Sequence, residues 1–95
     1  MAQVTQTAQQ RIDQVLEYSL AEWVGLPEVE AAIDEWDIIE QIDFIEEWTL
    51  AEERLLELSR YAATAAFTEE QRTRYRALKQ IIAQNRPIIE RLRAS

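Results

Sequence analysis

A single glycine, Gly25, and two prolines, Pro27 and Pro87, are all the backbone punctuation in a chain of 95 residues. Sheets and barrels need a tight turn every few residues, and glycine and proline supply most of them. Long helices need few, so the scarcity points to an all-α fold. We expect one domain, residues 1–95: a helical bundle of three to five helices built on a long antiparallel helical hairpin, with dimerisation as one way to complete it. At this length a single core is adequate and not generous, which keeps self-association open.

The stretch 33–48 is the densest part of the chain. It packs Trp36, Trp48, five isoleucines and Phe44 among seven carboxylates. Wound as a helix at about 100° per residue, Ile38, Ile42, Ile45 and Trp48 share one side. Ile33 and Trp36 fall roughly opposite, with Phe44 near them. A segment patterned this way buries more than one flank, with its acids on the ridges between.

In chain order, Ala8, Ile12, Val15, Leu16, Ser19, Leu20 and Trp23 recur at three- and four-residue spacing, predicting a helix over about 5–24. Gly25 follows where a left-handed C′ residue would stand. Pro27 then suits the first position of a new helix over 27–36, with Glu28 and Glu30 at its positive end. A break near Asp37 is expected because the apolar stripe shifts by almost half a turn and Asp37-x-x-Glu40 reads as a capping box. Thr49-x-x-Glu52 has the same form, but the seam Ile38, Ile42, Ile45, Trp48, Glu52, Leu55, Ser59, Ala62, Ala66 runs through it, so the third helix extends over 37–66. Thr68 and Gln71 cap a last helix over 69–92, with a kink or a new start at Pro87. In a hairpin turning near Phe67, Trp48 comes close to Arg86 and Pro87, and Glu46, Glu53 and Glu57 face the basic edge Arg72, Arg76, Lys79 and Arg86. Asn85 falls in the apolar seam of the last helix, where it either fixes register or reaches the surface beside Pro87.

The formal charge of −8 is unevenly spread: residues 34–57 hold ten acids and one base, Arg54, whereas residues 58–95 hold three acids and eight bases. Either the two regions neutralise each other within the fold, or one meets a partner of opposite charge.

The chain has no histidine and no cysteine. That removes the commonest general base and neutral metal ligand, the thiol nucleophile, and any disulfide or thiolate site. None of the serines lies in a nucleophile-elbow or phosphate-loop pattern. Asp34, Asp37, Glu40, Asp43 and Glu47 form a ridge at helical spacing, but carboxylates on one helix side point outward in parallel, whereas a hard cation needs converging oxygens. No catalytic, cofactor or metal residue is therefore assigned, and no small-molecule substrate is inferred. The start has no basic cluster and no apolar core of a leader, and no apolar run is of membrane-spanning length. The expectation is a soluble, unprocessed cytoplasmic protein of bacterial type.

The function expected is a non-catalytic acidic interaction module. It would act by helix-face contact with a protein partner or a second copy, an antitoxin-like or adaptor protein for a basic partner being one version. Contact residues are Trp36 and Phe44, as apolar anchors off the main seam, with Glu40, Asp43 and Glu47 and the basic Arg72, Arg76, Lys79 and Arg86. The first alternative is a regulatory nucleic-acid-binding protein using the basic last helix, although the acidic balance and the lack of interleaved aromatics disfavour it. The second is a carboxylate metal-binding protein.

Overall fold

The computed structural model describes residues 7–64 and 66–94. The expected helix start near residue 5 lies outside them. Four α-helices, α1 (Ala8–Val24), α2 (Leu26–Ala32), α3 (Ile38–Ala63) and α4 (Glu69–Ala94), account for most of the chain, and a 3-10 turn, Ile33–Glu35, joins α2 to α3.

Each helix start has a local cause. Thr7 and Gln10 cap α1 reciprocally: the Gln10 amide donates to Thr7 Oγ1 at 3.1 Å and the Thr7 amide to Gln10 Oε1 at 2.9 Å. Thr68 and Gln71 repeat the exchange at the head of α4, at 3.1 and 2.9 Å. At α3 the backbone turns extended at Trp36 and Asp37, and Asp37 Oδ1 accepts from the Glu40 amide at 2.9 Å. α3 then runs through Thr49 without a break.

Two local expectations are corrected. Gly25 is not left-handed: its φ of −76° and ψ of −10° are right-handed, and its N–H donates to Ala21 O at 3.1 Å, so α1 passes almost directly into α2. α2 already begins at Leu26, leaving Pro27 in the first turn, where no partner for a backbone N–H is needed. Nor does a new helix start at Pro87, which lies inside an α4 that reaches Ala94. Attachments on both sides hold it: before the proline, Asn85 Nδ2 donates to Trp23 O at 2.8 Å; after it, Ile88 and Ile89 are buried and Arg91 meets Glu30 at 2.8 Å.

The bundle runs up, down, up. α1 and α4 are parallel, because Gln71 reaches Gln9 O and Asn85 reaches Trp23 O at the same sequence offset of 62. α1 and α3 are antiparallel, with Arg11 meeting Glu57 near one end and Trp23 meeting Trp48 near the other. α3, ending at Ala63, and α4, beginning at Glu69, are thus the antiparallel arms of a hairpin. The backbones approach most closely between α1 and α4, then α1 and α3; the arms meet chiefly through long side chains. Ile12, Val15, Leu16 and Trp23 of α1 form the middle of the core, joined by Leu26, Trp48, Ala51, Leu58, Phe67, Leu78, Ile88 and Ile89. Each such large side chain, fully buried, contributes roughly 1.5–3 kcal/mol.

Candidate interaction surface

α3 carries two apolar stripes, and the core takes only one. Phe44, Trp48, Ala51, Leu55 and Leu58 fall within an arc of about 80° at ~100° per residue. Trp48, Ala51 and Leu58 are buried, and Phe44 and Leu55 pack against them. Facing away are Ile38 (65% exposed), Ile39 (67%), Ile42 (47%) and Leu56 (59%). This reverses the sequence reading, which set Ile38 and Ile42 in the packed seam and Phe44 off it. Trp48 belongs to both stripes. What chooses between them is Trp23, whose ring meets that of Trp48 edge-on at 5.0 Å. Phe44 follows inward at 5.7 Å from Trp48, and Trp36 packs edge-on against Phe44 at 5.8 Å. Trp36 and Phe44 are accordingly half-buried members of an aromatic row, while the isoleucines between the acids meet solvent.

A groove of about 320 Å³ opens beside these isoleucines. Its walls are Ile38, Ile42 and Ile45 of α3, Ile33 of the 3-10 turn and Leu92 of α4, with Asp34 and Glu46 on the rim and Arg93 at the α4 side. The Arg93 guanidinium lies 3.9 Å from Glu52.

The expected exchange of charge within the hairpin is only partly formed. Glu52 takes Arg86 in a two-pronged pair, both contacts at 3.2 Å, and Arg86 also stacks over the Trp23 ring at 5.0 Å. Glu57 turns to α1 and takes Arg11 at 2.8 and 2.9 Å, so the carboxylate expected to face α4 serves a different helix. Arg11 and a bond from the Tyr61 hydroxyl hold the Glu57 carboxyl below its ordinary range. Arg54 meets Glu22 at 2.7 Å; burial nonetheless pushes the Glu22 carboxyl up, with Arg54 opposing. Among the described residues, Asp34, Glu35, Glu40, Asp43, Glu46, Glu47 and Glu53 form no ion pair, and neither do Arg72, Arg76 and Lys79. The Lys79 ammonium sits 5.5 Å over the Tyr75 ring.

The unpaired acids at the start of α3 and the unpaired bases of α4 are far apart. With Glu52 level with Arg86, Asp43 is nine residues toward one end and Arg76 ten toward the other, a separation of roughly 28 Å at 1.5 Å per residue. Glu40, Asp43 and Glu47 therefore belong to the α3 N-terminal end, with the groove, and Arg72, Arg76 and Lys79 to the hairpin-turn end. Glu40 sits beside Asp37, whose carboxylate pushes the Glu40 carboxyl up, while the Glu40 amide holds Asp37 down. Among the described residues no three carboxylates converge as a metal site, and no helix is long and apolar enough to cross a membrane.

Fold and surface together define a small up-down-up helical bundle with an acid-rimmed apolar groove at one end. Comparison with protein-family models, with curated proteins and with solved structures found no significant match to this chain.

Proposed function

We propose that this protein is a non-catalytic interaction module that contacts another protein through the outer side of α3's N-terminal half. The observation that carries the reading is Ile38, Ile39 and Ile42, three large aliphatic side chains about half to two-thirds exposed, within one turn or so of one another and among unpaired carboxylates. Single exposed aliphatics are ordinary on a protein surface; a contiguous set beside a groove marks a contact site. The acids keep such a face hydrated until it is covered, and orient the approach of whatever covers it.

The test places a photoreactive phenylalanine analogue at Ile39 or Ile42, and as controls at Tyr18 or Leu56, in the full chain expressed in cells. Protein crosslinks concentrated at Ile39 and Ile42 support the module; equal crosslinking at all four sites, or none at Ile39 and Ile42, overturns it.

A second reading rests on the α4 edge. Arg72, Arg76 and Lys79 are exposed cations at helical spacing with no ion pair among the described residues, a geometry that tracks a phosphate backbone. It predicts a gel shift with nucleic acid that Arg72→Glu and Arg76→Glu together abolish; absence of a shift at low salt removes it.

A further inference from the structure

We infer that the groove between α3, the 3-10 turn and the end of α4 takes an amphipathic helix whose flanks are basic. The inference rests on the module reading above and names the chemistry of its partner.

Three observations lead there. Ile38, Ile42 and Ile45 stand one turn apart along about 10 Å of α3, a row that matches the i, i+3/i+4, i+7 ridge of a second helix laid alongside. Ile33 and Leu92 close the groove at its sides and give it depth, at about 320 Å³ within the lower range of true binding clefts. The third is charge. Asp34 and Glu46 stand on the rim, Glu35 and Asp43 lie close in sequence to them, and none of the four has an ion pair among the described residues. Arg93, the one cation among the described residues that line the groove, already neighbours Glu52. An occupant with acidic flanks would meet like charge on the rim, whereas lysines or arginines flanking an aliphatic ridge would each find a free carboxylate. Aliphatic anchors in the groove supply the affinity, and the rim sets orientation and association rate.

The chain's own basic edge is a poor occupant. Lys79, Arg76 and Arg72 sit roughly 24–35 Å along the bundle from Asp43. A two-fold pairing of two copies through this face would set the same acid-bearing surface against itself.

The experiment uses the purified full chain and three fluorescent synthetic peptides of 18 residues: an amphipathic leucine-lysine helix, the same composition in non-amphipathic order, and a leucine-glutamate helix. Anisotropy should show the leucine-lysine helix binding at least tenfold tighter than either of the others. Ile42→Ser should weaken it at least tenfold. Asp34→Asn with Glu46→Gln should weaken it several-fold and flatten its salt dependence. Leu50→Ser, an exposed leucine outside the groove, should leave it unchanged. All four substituted residues are exposed, and matching thermal melts establish that the variants remain folded. Equal binding of ordered and scrambled peptides overturns the inference, as does equal loss in Ile42→Ser and Leu50→Ser. Light scattering that shows a dimer dispersed by Ile42→Ser assigns the groove to a second copy and also overturns it. Crosslinking at Ile39 and Ile42 without peptide binding leaves the module standing and removes only the basic partner; loss of both removes the module.

Discussion

Asn85 is the residue that fastens the far end of α1. Its Nδ2 donates to Trp23 O at 2.8 Å where α1 gives way to Gly25, and the adjacent Arg86 covers the Trp23 ring. The sequence placed Asn85 in the apolar seam of the last helix, and that position was legible; its acceptor was not, because a helical wheel for α4 says nothing of where α1 ends. Asn85→Ala should cost about 1 kcal/mol in urea unfolding, the usual worth of a half-buried neutral hydrogen bond. Glu57 is a second case. Its carboxyl, lowered by Arg11, stabilises the fold at pH above its unfolded value of about 4.3, and that contribution is lost as pH falls through the folded value. Glu57→Gln should therefore be less stable at pH 7 by about 0.2–1 kcal/mol, modest because both partners are partly exposed, and thermal melts of the two proteins should converge on acidification. A wider gap at pH 3 than at pH 7 would contradict the sign.

At the scale of elements, chemistry confined to a few neighbouring residues could be read from the chain. Asp37-x-x-Glu40 marks the start of α3, and Thr68 with Gln71 the start of α4, because a cap is satisfied within four residues and needs no tertiary partner. Pro87 was not legible in the same way. Proline's local cost argues for a restart, but Ile88, Ile89 and Arg91 tie the following turns to α1 and α2, and packing outweighs the one lost backbone bond. The choice between the two stripes of α3 also lay outside α3: periodicity admits both, and the Trp23 ring selects the one holding Phe44 and Trp48. That is why periodicity alone assigns Ile38 and Ile42 to the packed seam, although the presence of two stripes is itself the available signal. Asp37→Ala should lower the thermal midpoint, because the Glu40 N–H loses its cap. Amide exchange should quicken first in the opening turn of α3, around Ile39 and Glu40, and a uniform change along α3 would count against a capping role.

On the scale of the whole molecule, the extents of 47 × 35 × 18 Å describe a slab. Its thin dimension follows from α1 lying against both long arms, whose own ion pairs join Glu52 to Arg86 and Arg93. The all-α class and the hairpin follow from scarce turn residues and a short link. The pairing of α1 with α4 depends on contacts some 60 residues apart, such as Gln71 with Gln9, which no local pattern encodes. One dynamic consequence is an uneven α3. Residues 48–58 are held by Trp48, Ala51 and Leu58 against the core, whereas residues 38–47 are anchored to it mainly through Phe44, with Ile38, Ile39 and Ile42 outside. Opening free energy tracks buried apolar contact, so amides of the first half should exchange well ahead of those in the second, by about tenfold for each 1.4 kcal/mol of difference. Hydrogen exchange followed by mass spectrometry can resolve the two halves. Adding the leucine-lysine helix should slow the first half and leave the second unchanged, since only the first borders the groove; equal slowing of both would mean that the ligand acts on global stability and not on that end.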